Sequence, residues 1–122
     1  MTGTGRRILI FEDNTNIQAI LNLFFKKRGY EVRLADDGVD AVPIAKEFDP
    51  ELILMDIIMP GKDGIEACTD LRREGILTPI VILTSKNFQE DADRATAAGA
   101  NAYLLKPFDP KKLEEVIAPL LR

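Results

Sequence analysis

The sequence predicts an α/β domain built on a five-stranded parallel sheet with helices on both faces. Three observations lead there. Short aliphatic runs alternate five times with segments of helical period along 122 residues. The connections between them are short. The middle run, Leu52 to Asp56, is apolar through its first four residues, the pattern of a strand buried on both faces. Right-handed crossovers leave few strand orders, of which 2-1-3-4-5 is the common one for five strands.

Arg6 to Phe11 reads as the first strand and runs into the acidic pair Glu12 and Asp13. The period then changes: Ile17, Ile20, Leu21, Phe24 and Phe25 share one face of an amphipathic helix that Gly29 is placed to end. Glu31 to Ala35 is a brief second strand, and Asp36-Asp37-Gly38 forms a turn that can cap the next helix. Ala41, Ile44, Ala45 and Phe48 mark that second helix. Pro43 falls within it, at little cost in the first turn and with a kink if deeper.

After the central strand and its Pro60-Gly61 turn, Ile65, Cys68 and Leu71 line a third helix that closes near Gly75. A fourth strand, Pro79 to Leu83, ends at Thr84 and Ser85. Asn87 to Gly99 reads as a helix packed through Ala92, Ala95, Ala97 and Ala98, and with so little apolar area it is expected to be the least firmly anchored. Ala102 to Leu105 is the fifth strand. A stripe at Leu113, Val116, Ile117, Leu120 and Leu121 marks the closing helix, with Lys111, Lys112, Glu114 and Glu115 on its solvated side.

Size and composition agree with one domain spanning residues 1–122, 46% apolar and carrying a net charge of -4. That balance lacks the basic footprint of a nucleic-acid or anionic-membrane binder. No run approaches the roughly 20 apolar residues of a membrane span. Met1 to Gly5 lacks the regions of a signal peptide. A soluble, cytoplasmic protein is expected. The single cysteine, Cys68, lies on an apolar helix face and reads as core.

In a parallel sheet the strand ends gather on one edge, and ligands bind outside the carboxyl ends. That edge collects Glu12, Asp13, Asp56, Thr84, Ser85 and Lys106. Three carboxylates there repel one another, and Lys106 is the one cation among these strand-end residues. Magnesium suits such a place, since it accepts one or two carboxylates, waters and a phosphate oxygen. A lysine, a hydroxyl and a carboxylate placed to attack complete a phosphate site, suggesting phosphoryl transfer onto Asp56. Taken singly, these residues have other readings. Asp13 and Asp56 can shape turns, Lys106 can be solvated, Thr84 suits a strand, and Tyr103 can pack.

Four stretches in order carry a resemblance: Ile8-Leu-Ile-Phe-Glu-Asp13, Leu54-Met-Asp-Ile-Ile-Met-Pro-Gly-Lys-Asp-Gly64, Ile82-Leu-Thr-Ser85 and Gly99-Ala-Asn-Ala-Tyr-Leu-Leu-Lys-Pro-Phe108. Over essentially its whole length the chain resembles the receiver domain of bacterial two-component response regulators, of the single-domain, chemotaxis-regulator-like kind with a flavodoxin-like fold. The resemblance implies that Asp56 is the phosphoacceptor and Asp13 the direct Mg2+ ligand. Glu12 would support the ion through water, and the Ile58 carbonyl would complete the protein's share. Lys106 would pair with the phosphoryl group, across a Lys106-Pro107 bond that is often cis in the family. Thr84 and Tyr103 would form the switch. Ile58 and Lys86 match positions that vary the dephosphorylation rate.

The implied function is a phosphorylation-dependent signalling switch of a two-component system or phosphorelay. The chain has no histidine, so the phosphoryl donor would be the phosphohistidine of a histidine kinase or histidine phosphotransfer protein, with a downstream effector protein as target. The fourth helix, fifth strand and fifth helix are the expected output surface, in a monomer or weak phosphorylation-dependent dimer. It would be a signalling domain rather than an enzyme, catalysing its own phosphorylation and slow dephosphorylation. Two alternatives stand beside this: a magnesium-dependent phosphohydrolase working through an aspartyl phosphate, and a structural module that is never phosphorylated. The chain is expected either to act alone or to be part of a longer regulator or hybrid kinase.

Overall fold

The computed structural model describes residues 6–85 and 89–121. In chain order the elements are β1 (Arg7–Phe11), α1 (Thr15–Lys27), β2 (Glu31–Ala35), α2 (Ala41–Phe48), β3 (Leu52–Asp56), α3 (Gly64–Arg73), β4 (Ile80–Thr84), α4 (Gln89–Ala97), β5 (Ala102–Leu105) and α5 (Pro110–Ile117). All strand pairs are parallel and the order is β2-β1-β3-β4-β5. Each expected strand is present, with ends shifted by at most one residue.

The sheet is covered on both sides, as its continuous apolar strands require. Leu9, Phe11, Ile53, Met55, Ile80 and Ile82 face α2, α3 and α4. Ile8, Ile10, Leu52, Leu54, Val81 and Leu83 face α1 and α5. Every residue of β3 and β4 is buried, so the strands that end at Asp56 and Thr84 form the rigid centre of the sheet.

Caps written in the sequence set where helices begin. Asn14 Oδ1 accepts from the Ile17 N–H at 3.0 Å, Asp63 Oδ1 from Glu66 at 2.8 Å, and Asp109 Oδ1 from Lys112 at 2.8 Å with Pro110 next in line. Gly29, at φ 85°, ends α1 as expected. Pro43 is the third residue of α2, in its first turn, where no helical hydrogen bond is lost.

Two packing expectations and one helix end need correction. Ile20 is 56% exposed and lines a surface groove with Leu23, Phe108 and Leu113 instead of joining the core. In α4, Ala92 and Ala95 are buried and Ala97 faces solvent, while Ala98, just past its end, packs on the core. The closing helix stops at Ile117 and tightens into a 3-10 turn over Ala118–Leu120. Pro119 has no N–H to continue the α-helical ladder. Cys68 is fully buried, as expected. Asn87, where α4 was expected to start, and Lys86 lie outside the described residues.

Candidate functional site

The carboxyl edge of β1, β3 and β4 and the segment after β5 gather the candidate residues. Glu12 directly follows β1, and its N–H donates to Ala35 O at 2.9 Å, extending the pairing with β2 by one step. Its side chain therefore points from a fixed backbone into the interior and is fully buried. Asp56 closes β3, paired with Leu83 of β4, and is also buried. Thr84 ends β4 and is buried; its carbonyl accepts the Lys106 N–H at 2.7 Å, which fixes the lysine backbone beside it. The Lys106-Pro107 peptide is cis.

Lys106 is the hub. Its Nζ donates to Glu12 Oε1 at 2.6 Å and to Asp56 Oδ2 at 3.0 Å. Glu12 Oε2 accepts the Asn14 N–H at 3.1 Å, so both oxygens of this buried carboxylate have donors. Burial pushes the Glu12 carboxyl above its ordinary value of 4.5; the Lys106 and Asn14 hydrogen bonds hold it down, and the Asp56 charge raises it further. Burial works against the charged form of Lys106. The hydrogen bonds and charges of Glu12 and Asp56 outweigh it and keep the ammonium above its ordinary range.

Asp13 is exposed at the mouth of the same site. Single carboxylate oxygens of Glu12, Asp13 and Asp56 all lie within 4.8 Å of one another. Three hard oxygen donors at that spacing, one at the solvent side, fit a divalent cation of the magnesium kind that keeps part of its water. The expected metal set is thus brought together in its three carboxylates. Ile58, whose carbonyl was the fourth expected ligand, lies in the loop between β3 and α3 with its side chain 59% exposed.

Tyr103, the second residue of the expected switch, stands apart from the carboxylate cluster. It lies on edge strand β5, paired with Ile82, and is 46% exposed. Its ring lines a surface cavity of about 390 Å3 with Leu105, Pro107, Lys112 and Val116.

Two contributors escaped the reading of the sequence. The Gln18 side-chain amide donates to Glu12 O from α1, steadying the backbone of a buried site residue. Gly64, first residue of α3, approaches Asp56 so closely that an added Cβ would stand 2.1 Å from the Asp56 carbonyl oxygen. A glycine at the first position of a helix already capped by Asp63 was the available signal, since no turn requires it there.

The comparisons with known proteins agree with this geometry. A family model described as response regulator receiver domain matches residues 8–118. The alkaline phosphatase synthesis transcriptional regulatory protein PhoP of Bacillus subtilis (strain 168) is 34% identical over 118 residues, covering 97% of this chain and 49% of that protein. The chain thus spans about half the length of that curated relative. Among solved structures, the receiver domain of sensor histidine kinase PA1611 from Pseudomonas aeruginosa PAO1, with a magnesium ion coordinated in its active site cleft, gives a TM-score of 0.87 at 34% identity. The match covers 97% of this chain and 98% of that one. The BeF3-activated N-terminal receiver domain of Klebsiella pneumoniae RstA gives 0.88 at 31% identity, covering 96% and 99%. With its strand order, its acidic cleft and this likeness over nearly all its length, the chain belongs to the response regulator receiver domains, the signalling receivers of two-component systems.

Proposed function

We propose that this chain is one receiver domain over residues 1–122 that accepts a phosphoryl group from a partner's phosphohistidine onto Asp56. The observation that carries the reading is the Lys106 ammonium held between Glu12 and Asp56, with the Asp13 carboxylate at the same mouth. Asp13, Asp56 and the Ile58 carbonyl would hold Mg2+, with Glu12 supporting it. The ion supplies charge neutralisation on the phosphoryl oxygens when bound.

Asp56 is positioned by the buried β3 strand and by Gly64, so its carboxylate presents one oxygen for in-line attack on phosphorus. The new P–O bond forms as the P–N bond to the donor imidazole breaks, and the electron pair leaves with that nitrogen. Lys106 already donates to Asp56 and meets the incoming oxygens, while the Thr84 hydroxyl bonds one of them. The phosphoryl group then biases Thr84 and Tyr103 toward an inward arrangement, altering the α4, β5 and α5 surface that an effector protein reads. Slow self-dephosphorylation returns the domain to rest. A histidine kinase or histidine phosphotransfer protein is the donor, the setting is cytoplasmic, and the domain acts as a monomer or weak phosphorylation-dependent dimer.

Intact mass after treatment with acetyl phosphate and Mg2+ tests the assignment. The wild type is expected to gain one phosphoryl group and Asp56→Asn none. Undiminished gain in Asp56→Asn refutes the assignment to Asp56, and no gain in the wild type refutes the reaction.

A further inference from the structure

Two loops from different strands meet beside the acidic mouth, and a glycine on each makes the meeting possible. The loop after β2 contains Gly38, which is buried. A Cβ there would stand 2.5 Å from the backbone oxygen of Lys62 and 3.3 Å from Ala67 Cβ and Met59 Cε. The loop after β3 contains Gly61, where a Cβ would stand 2.5 Å from Val39 Cγ2. Ordinary contact between carbon atoms is about 3.5–4.0 Å, so neither position has room for a methyl group. The contact is reciprocal: Gly38 seats on the β3 loop, and Val39 seats on Gly61.

Each loop is held from its own side. The Val39 N–H donates to Asp37 Oδ1 at 3.0 Å and the Ala41 N–H to Gly38 O at 3.3 Å. The Lys62 N–H donates to Pro60 O at 2.9 Å and the Gly64 N–H to Ile57 O at 2.8 Å. Ile58 lies between those two bonds. It is past the end of β3 and before α3, outside the ladders that fix Asp56 and the helix. On one side Ile57 is fixed, its N–H donating to Leu83 O at 3.1 Å. On the other the chain runs on to Met59, whose buried side chain meets Gly38, and to Lys62 and Gly61, which meet Gly38 and Val39, so the seating of the β2–α2 loop bears on Ile58 from that side.

We propose that Gly38, with the Val39–Gly61 contact, is a positioning element for magnesium. It sets where the Ile58 carbonyl stands relative to the Glu12, Asp13 and Asp56 carboxylates, so the seating of the β2–α2 loop tunes metal affinity. The inference rests on reading the acidic cluster as a magnesium site. Gly38 would touch no ligand itself, and it acts by placing a backbone oxygen.

The test is calorimetric titration of the whole chain with MgCl2, the folded state of each variant being checked by circular dichroism. Gly38→Ala is expected to bind Mg2+ about tenfold more weakly than wild type, the scale on which supporting groups act at metal sites. Gly75→Ala is the control for lost stability alone. Gly75 has φ +79° and nothing within 4 Å of an added Cβ, so alanine there strains the backbone at the far end of α3 without moving the site. Its Mg2+ affinity is expected within about twofold of wild type, as for a distant site. Asp13→Asn is expected to lose binding.

Wild-type affinity in Gly38→Ala, with binding lost in Asp13→Asn, overturns the positioning role and leaves the magnesium site standing. Equal weakening in Gly38→Ala and Gly75→Ala overturns it as well, since stability alone would then be the cause. Absence of Mg2+ binding in the wild type overturns both readings. Should Gly38→Ala not fold, Val39→Ala adds no atom and removes the contact on Gly61. It is expected to bind Mg2+ measurably more weakly, and wild-type affinity in it overturns the inference.

Discussion

Replacing Lys106 by methionine removes a cation from between two carboxylates while keeping most of the side-chain volume. The cost falls mainly on Glu12, which is fully buried and, of the two donors described for it, would keep the Asn14 N–H alone. A buried carboxylate in that position takes up a proton. Holding that proton at pH 7, when the unfolded chain releases it near 4.5, costs about 3.4 kcal/mol: two and a half pH units at about 1.36 kcal/mol each. The wild type already carries part of this, because Glu12 is raised even with Lys106 in place. The net loss at pH 7 without metal is therefore expected to be measurable but below that limit of about 3.4 kcal/mol.

The pH dependence has a definite sign. In the variant the folded state keeps a proton that the unfolded state sheds above 4.5, so its stability falls as pH rises from there toward the folded value. At pH 5 the same reasoning limits the proton's cost to about 0.7 kcal/mol, and the difference from wild type should nearly close. Urea unfolding followed by circular dichroism at pH 5 and pH 7, in EDTA, measures both. Equal stability of the two proteins at pH 7, or a loss as large at pH 5, would refute the role given to Lys106.

Two further outcomes are expected away from the mouth of the site. The Arg72 guanidinium donates to Gly99 O at 3.0 Å, Ile76 O at 2.7 Å, Thr78 O at 2.8 Å and Asn101 Oδ1 at 2.9 Å, tying the end of α3 to the turns before β4 and β5. At about 1 kcal/mol net for each bond, Arg72→Ala should lose about 3–4 kcal/mol in urea unfolding, with Mg2+ affinity unchanged. Arg72→Lys should recover little of it, since one ammonium cannot span that fork. Cys68 is fully buried, its thiol donates to Ala98 O at 3.5 Å, and burial pushes its pKa up against the opposing Arg72 charge. The native thiol should resist a disulfide reagent at pH 8 and react once urea unfolds the chain; rapid native reaction would contradict the packing.

The fold was legible because hydrophobic period and strand topology are local to the sequence and reinforce one another. The inner runs became strands because both their faces are apolar, the edge runs β2 and β5 are only partly covered, and parallel strands place their ends on one edge whatever the details of the loops. That is why Glu12, Asp13, Asp56, Thr84 and Lys106 could be grouped from their positions alone. What depended on neighbours was less legible. Ile20 has helical spacing for the core, but it lies at the rim of the groove toward Phe108. Asp91 of α4 is buried despite its charge, with the exposed Arg94 guanidinium 3.5 Å from it. The same limit applies at the site. That Lys106 bonds Glu12 as well as Asp56, and that Gly38 and Gly64 admit backbone where no side chain fits, follows from loop conformation and not from residue spacing.

The sharing of Lys106 has a consequence for how the proposed reaction is controlled. One ammonium now serves two buried carboxylates, the shorter bond going to Glu12. To serve a phosphoryl group on Asp56 it must loosen its hold on Glu12, and a buried carboxylate released in that way needs another cation. A divalent ion at the proposed site would supply that charge, and its binding would then lower the cost of freeing the lysine. By reciprocity, a phosphoryl group that draws Lys106 away from Glu12 must raise the affinity for the metal by the same factor. In the proposed reaction, metal and phosphoryl group would be coupled through the position of a single side chain. A protein in which Glu12 became glutamine should show weaker coupling, because the neutral amide no longer needs the charge that Lys106 withdraws.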